Sequence, residues 1–359
     1  MSETRHLFPC PTCGSDMRFD PASGDLVCDH CGRHEEIPAG PSTLREEPFD
    51  DALAARLPTA ETTDLRVTEC PSCGAQVELG DDLQATECPF CATPVVTGTG
   101  TRRIVKPKGL LPFAMPEEQA RDAMVRWLGS LWFAPNGLQR YARKGRRLDG
   151  IYVPYWTFDA QTRSRYAGER GDDYWTTRTV VRDGKPQTVR VRQTRWRRAT
   201  GRVARFFDDV LVLASTSLPQ QYTDGLEPWD LTALEPYTPD YLAGFRAEGY
   251  QIDLQDGLRA ARVKMDAMIL RDVRFDIGGD HQRVHSVQTD VSEVTYKHVL
   301  LPVWLAAYRY RGQSFRCVVN GRTGRVQGER PYSPWKIALA VLAGLVVAGI
   351  VYYLYLQSQ

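Results

Sequence analysis

The apolar positions along this 359-residue chain change period several times. Behind Pro116, Glu117 and Glu118, the residues Ala120, Met124, Trp127, Leu128 and Leu131 recur at helical spacing, which predicts an amphipathic helix over 116–132. From Ile151 the texture is that of strands. IYVPYWTFDA, YWTTRTVV and QTVRVRQTRW alternate, Asp183-Gly184 supplies a hairpin turn between the last two, and DDVLVLAS adds a further apolar strand. Residues 254–273 return to helical spacing through Leu258, Ala261, Met265, Met268 and Ile269. Strands resume with HQRVHSVQTDVSEVTY, HVLLPVWLAAYRY and SFRCVVN, the last followed by an Asn320-Gly321 turn. Residues 99–331 are therefore expected to form an α+β domain rich in antiparallel strands.

The last apolar stretch differs in kind. Residues 337–356, IALAVLAGLVVAGIVYYLYL, hold 20 residues without a charge. At about 1.5 Å per residue this is roughly 30 Å of helix, the thickness of a bilayer core. Eleven are Leu, Ile or Val, each contributing roughly −0.3 to −0.6 kcal/mol at the centre of a span, so insertion is favoured by several kcal/mol. Trp335 and Lys336 mark one membrane interface and Tyr352, Tyr353 and Tyr355 the other. A transmembrane helix is expected over 335–356. The alternative, a buried core helix, would be shorter and carry a polar face. Arg325, Arg330 and Lys336 precede the span and Gln357, Ser358 and Gln359 follow it. The positive-inside rule then predicts a single-pass protein of the inner membrane with its N-terminal bulk in the cytoplasm. Ala340, Gly344 and Ala348 form a small-residue stripe that offers a packing face to another helix, that of a second copy included.

Cysteine usage brings in the chemistry. Cys10, Cys13, Cys28 and Cys31 recur at an offset of 60 residues as Cys70, Cys73, Cys88 and Cys91, each set reading C-x2-C-x14-C-x2-C. Residues 1–14 (MSETRHLFPCPTCG) hold no apolar signal segment, so a secreted disulfide scaffold is not expected. Each CxxC pair chelates from one tight turn, and 14 intervening residues suffice for a short hairpin that sets the two turns face to face. Glycines follow Cys13, Cys31 and Cys73, and Pro11, Pro71 and Pro89 stiffen the turns. Two zinc ribbons are expected, at 1–38 and 66–98, each a closed structural site for one zinc ion and unfolded without it; binding in comparable peptides is worth about 10–16 kcal/mol. A mononuclear iron site and redox-active CxxC pairs are the alternatives. Residues 39–65, polar and rich in Pro and Thr, read as a linker.

The formal net charge of +1 hides a segregation. Residues 1–100 carry 6 basic and 18 acidic groups, residues 101–198 carry 22 and 9, and the remainder 17 of each. The ribbons are acidic, and a four-thiolate zinc centre adds about two more negative charges. That disfavours phosphate contacts and favours protein partners. In the basic middle, Arg190, Arg192, Arg195, Arg197 and Arg198 are candidates for contact with an anionic surface: lipid headgroups, the acidic ribbons or, with aromatics interleaved only at Trp196 and Tyr141, nucleic acid. A solvated sheet face is the alternative.

Enzymatic motifs are absent: no GxxxxGK[ST], GxSxG or HExxH. No catalytic residue is assigned and no enzyme is expected. His281 and His285, four residues apart on a strand and about 13 Å from each other, are a second metal candidate. Cys317 reads as a core thiol.

The paired CPxCG knuckles, KPKGLLPF with the following WFAP, GIYVPYWTFDA, YLAGFRAEGY, LLPVWLAAYRYRG and VNGRTGRVQGERP occur in this order. On these blocks, which cover nearly the whole chain, the sequence resembles a broad prokaryotic, bacterial family of tail-anchored TFIIB-type zinc-ribbon membrane proteins. Its members are often labelled primosomal protein N′ (replication factor Y) superfamily II helicase, a label that the missing phosphate-binding loop contradicts. The resemblance implies membrane-stress assemblies with SPFH-domain or phage-shock-type proteins as partners. The expectation is a membrane-anchored adaptor that recruits cytosolic proteins; the alternative is a membrane-tethered nucleic-acid-binding protein.

Overall fold

The computed structural model describes residues 8–38, 44–49, 62–70, 76–78, 85–88, 90, 94–96, 100–136, 138, 148–182, 185–310 and 313–357. At the N-terminus β1 (Met17–Phe19), β2 (Leu26–Cys28) and β3 (His34–Glu35) form a small antiparallel sheet in that order. β4 (Glu47–Pro48) pairs instead with Thr295 and Tyr296. β5 (Thr62–Glu69), β6 (Gln76–Glu78), β7 (Ala85–Glu87), β8 (Pro94–Val96) and β9 (Gly100–Val105) make two further small sheets, β6-β5-β9 and β7-β8.

The remaining elements are β10 (Gly109–Leu110), α1 (Glu117–Ser130), β11 (Asp149–Arg182), β12 (Lys185–Leu213), α2 (Gln220–Asp224), β13 (Glu235–Pro236), β14 (Arg246–Ala247), α3 (Leu254–Ile277), β15 (His281–Tyr310), β16 (Gln313–Asn320), β17 (Val326–Gly328) and α4 (Pro334–Gln357). β12, β11 and β15 lie side by side, antiparallel, and carry most of a nine-stranded sheet. β4, β10 and β16 pair in turn along the free edge of β15, and β14 joins the start of β11.

The near half of this sheet is buried on both faces. Ile151, Val153, Tyr155, Val299, Leu301 and Val303 face one cluster, while the alternating Tyr152, Leu300 and Trp304 face another that holds Phe113, Ala120, Met124 and Leu128. Double burial explains the nearly continuous apolar runs in the sequence. Among the described residues the far half is covered on one face only, by α3. Leu254, Leu258, Ala261, Met265, Ile269, Val273 and Ile277 form its buried stripe against Trp156, Phe158 and Tyr166, roughly 1.5–3 kcal/mol for each large side chain.

Several boundaries differ from expectation. The strand segments expected separately are fused: β11 has 34 residues, β12 has 29 and β15 has 30. At about 3.3 Å per residue, β11 has a contour of roughly 110 Å. Polar stretches do not end these strands, because their backbones are paired on a neighbour and bulges at Asp209 (φ 50°), Glu293 (φ 53°) and His285 absorb the register shifts. Arg182 pairs with Lys185 around the expected hairpin turn, whose Asp183 and Gly184 lie outside the described residues. α3 runs one turn beyond 273 to a cap at Gly278, and Met268 is exposed, one position off the buried stripe. α1 stops at Ser130, which leaves Leu131 as its cap. The stretch expected as a linker contributes β4, held because Lys108 Nζ donates to Glu47 Oε1 (3.0 Å) and Lys297 Nζ to Glu46 Oε1 (3.0 Å). It also contributes the start of β5. Gly100–Val105, expected in the α+β domain, pairs with β5 instead.

Candidate metal centre

Two tight turns build the site. The Gly14 N–H donates to the Cys10 carbonyl (2.8 Å) and the Cys10 N–H to the Ser15 carbonyl (2.7 Å). The second turn repeats this with Gly32 to Cys28 and Cys28 to Arg33, both at 2.9 Å. Gly14 and Gly32 both have φ +73°, a region that L side chains rarely occupy, which is why glycine follows each CxxC. The β1–β2 hairpin between the turns sets them face to face, as the 14-residue spacing predicts.

Cys10 Sγ lies 3.6 Å from Cys31 Sγ and Cys13 Sγ lies 3.5 Å from Cys28 Sγ; all four sulfurs fall within 4.8 Å of one another. A sulfur tetrahedron with bonds of about 2.3 Å has edges of roughly 3.8 Å, so the four ligands fit one ion. A disulfide would need about 2.05 Å. The four are free thiols, with Cys10 and Cys28 buried and Cys13 and Cys31 at the surface.

Electrostatics favour a cation here. Burial opposes ionisation of Cys10, but the amides of Thr12 and Cys13 and the neighbouring thiols outweigh it and hold Cys10 at about 6. Cys13 is lowered too, first by the Ser15 amide. At Cys31 the Arg33 amide works the same way, yet burial and three adjacent sulfurs push the thiol up to about 12. Four thiolates this close repel unless positive charge sits between them.

This first site is welded to the sheet. Phe19 packs edge-on against Tyr241 at 5.2 Å, its N–H donates to the Ala243 carbonyl (2.9 Å), and Cys10, Met17, Phe19, Leu26 and Cys28 belong to the cluster of Phe113 and Trp304.

Of the second set, Cys70 and Cys88 are buried and belong, with Phe90, to the cluster on the opposite sheet face; Cys73 and Cys91 lie outside the described residues. The strand registers nevertheless repeat. Leu26↔Glu35 and Val27↔His34 become Thr86↔Val95 and Glu87↔Pro94, and the Pro9↔Asp16 bridge becomes Glu69↔Gln76, each shifted by the 60 residues that separate the cysteines.

The arginine cluster on β12 is split by the pleat. Arg190, Arg192 and Arg198 share a face with Trp196 and Arg202 and, across the register, with Arg163, Arg165 and Arg283. Glu169, Asp173 and Asp290 are acids on that face. Arg195 and Arg197 point to the other, on the α3 side. Arg283 stacks on Trp196 at 3.8 Å, and Asp173 is held below the usual carboxylate range by the Thr194 hydroxyl, then by Arg192 and His281. His281 and His285 do not share an ion site: His281 faces Asp173 at 3.1 Å and His285, on a bulge, faces Glu169 at 3.9 Å. Cys317 is a buried core thiol whose pKa is raised by desolvation.

α4 is the one described helix long and apolar enough to cross a membrane, with mean hydropathy 2.5 and no buried residue. Trp335, Tyr352, Tyr353 and Tyr355 are exposed on it, and Lys336 donates to the loop after α1.

Two polar sites escaped the sequence reading. Glu248 is fully buried: Ser215 Oγ (2.9 Å), Gln251 Nε2 (3.0 Å) and Ser217 Oγ all donate to Oε1, Oε2 has no partner among the described residues, and burial raises the pKa to about 7. Asp159, between the bulges at Asp209 and Glu293, is pushed up to about 7 by burial and by Glu46. Neither has a motif, because loop and strand residues distant in sequence bury them.

The chain is similar to a protein of Bacillus subtilis (strain 168) named uncharacterized protein YdjG, with 26% identity over 332 residues that cover 92% of each chain. No protein-family model and no solved structure matches it.

Proposed function

We propose that this protein is a membrane-anchored zinc-ribbon adaptor, which holds cytosolic partner proteins at the inner membrane through two closed zinc sites built on one rigid sheet. The observation that carries the reading is the four-sulfur cluster of Cys10, Cys13, Cys28 and Cys31. It has the dimensions of a closed tetrahedral site and shares its hydrophobic core with a domain that ends in an exposed apolar helix. A closed site leaves no ligand position for substrate, so its use is structural.

Cys70, Cys73, Cys88 and Cys91 form the second zinc site in this reading, supported by the repeated registers around Glu69, Thr86 and Glu87. Acidic ribbons favour a protein partner over nucleic acid. The resemblance to TFIIB-type zinc-ribbon membrane proteins suggests SPFH or phage-shock-type partners, and the cations before the span support a cytoplasmic bulk by the positive-inside rule. On the arm, Arg163, Arg165, Arg190, Arg192, Arg198 and Arg202 offer a contact for an anionic surface such as lipid headgroups.

The test is recovery of partners from detergent-solubilised membranes, with and without chelator and nuclease. Chelator-sensitive, nuclease-resistant recovery of protein is expected. DNA or RNA as the main nuclease-sensitive ligand would sink the adaptor reading and favour a membrane-tethered nucleic-acid-binding protein.

A further inference from the structure

The WFAP segment, residues 132–135, leaves the end of α1 and crosses to the start of α4. The Ser333 N–H donates to the Phe133 carbonyl at 2.7 Å, and the Lys336 ammonium donates to the carbonyls of Trp132 (3.1 Å) and Ala134 (2.9 Å). Ala134 is buried in the cluster of Leu128 and Phe113, so the loop is held from below by the domain core and from the side by the helix. Its aromatic side chains are left outside. Trp132 is 77% exposed and Phe133 38%, beside Tyr332 at 56% and Trp335 at 80%.

Four large aromatics around one neck form a patch that a water-facing surface avoids. Trp and Tyr rings, with an apolar body and a polar edge, favour the headgroup level of a bilayer. The patch is also continuous with the exposed apolar helix, which begins one residue before Trp335. Among the described residues no other contact calls for this geometry: the Lys336 side chain is committed to two loop carbonyls, and the loop carries its two largest side chains away from the core.

We propose that the 132–135 loop is a second membrane contact, with Trp132 and Phe133 seated in the interface of the bilayer that α4 crosses, and with Lys336 clamping loop to helix. The proposal rests on the reading of α4 as a membrane anchor. A single helix tethers a domain but lets it swivel. Two points of attachment joined by the Lys336 clamp hold the sheet at one tilt.

Lipid photo-crosslinking tests this on the full chain in phosphatidylcholine–phosphatidylglycerol vesicles, with benzoylphenylalanine at position 132, at 335 as the anchor reference, or at the exposed α3 position 263. Positions 132 and 335 should label lipid to similar extents and 263 only at background. Lys336→Ala should cut labelling at 132 several-fold while the chain stays resistant to carbonate extraction. Labelling at 335 with 132 at the level of 263 would overturn the loop contact and leave the anchor standing. Background labelling at both 132 and 335, with carbonate release, would overturn the anchor and the loop contact together. Undiminished labelling at 132 in Lys336→Ala would refute the clamp.

Discussion

The two cysteine repeats share a spacing and have opposite addresses. The first contributes Cys10, Cys28 and Phe19 to the cluster around Trp304 on one face of the sheet. The second contributes Cys70, Cys88 and Phe90 to the cluster on the other face, where Ile151, Val153, Leu301 and Val303 are the sheet residues. Both repeats pair the segment before the first turn with the strand after it, Pro9↔Asp16 in one and β5 on β6 in the other, but β1 goes on to pair with β2 in the first repeat, whereas in the second β5 also holds β9. Spacing therefore sets the internal register of a cysteine turn. The flanking apolar residues decide where it docks.

The segment 239–248 joins the two. The short 3-10 helix Pro239–Leu242 touches β1, β14 touches β6, and Glu248 is buried directly after, with its N–H donating to the Tyr152 carbonyl at 2.9 Å.

The largest expected effect breaks the comparison at the metal. On the proposed reading of two zinc sites, Cys28→Ser should lower bound zinc from two ions per chain to one and expose the β1–β2 amides to exchange, since a site of this kind carries on the order of 10 kcal/mol of binding free energy. Cys88→Ser should do the same for the second repeat. An unchanged zinc count in Cys88→Ser, measured by elemental analysis, would show that the repeats are equivalent in sequence only.

Next, Phe19→Ala should separate docking from ligation. Removing a buried phenylalanine costs about 3–5 kcal/mol. The first repeat should become accessible to protease at its contact with residues 241–245 while zinc is retained, and loss of zinc in the same variant would show that the knuckles depend on the sheet.

Glu248 tests the junction by pH. Its folded pKa is raised to about 7 by burial, above the ordinary carboxyl value, so the folded state keeps a proton that the unfolded chain releases. That stability is fully present below the unfolded pKa and is lost as pH rises through about 7, a change of about 3 kcal/mol. Glu248→Gln should flatten the slope of denaturant midpoint against pH between about 5 and 7, a range set by those two values. An unaltered slope would place the titration elsewhere.

The smallest effect concerns the open part of the sheet. Arg198→Glu with Arg202→Glu should weaken binding of the chain to anionic vesicles by about 1 kcal/mol per arginine, and added salt should shrink the difference. Arg195→Glu with Arg197→Glu, on the α3 side, should change it much less. Equal losses from the two pairs would mean that net charge, and not the face, matters.

Much of this was legible beforehand. The first four-cysteine cluster follows from spacing, the stripe on α3 from the period of Leu258, Ala261, Met265 and Ile269, and the terminal helix from 20 uncharged residues. The fused strands were not legible, because polar alternation along an arm looks like loop until a neighbouring strand pairs with it. Pro48 and Glu47 read as linker for the same reason: two residues become a strand only when Thr295 and Tyr296 offer an edge. Glu248 and Asp159 carry no local signal of burial, since most of the groups that surround each, such as Ser215 and Ser217 at Glu248 and Glu46 at Asp159, come from distant parts of the chain.

The sequence by itself determined what is local: the knuckle turns, where glycine tolerates φ near +73° with little strain, the helix stripes and the apolar span. Only the tertiary structure decided which sheet face each repeat occupies, that Arg195 and Arg197 part from Arg190, Arg192 and Arg198, and that Lys336 ties Trp132 to the start of α4. Those outcomes depend on register and on contacts between residues up to about 200 positions apart, as for Lys336 and Ala134, which no local pattern encodes.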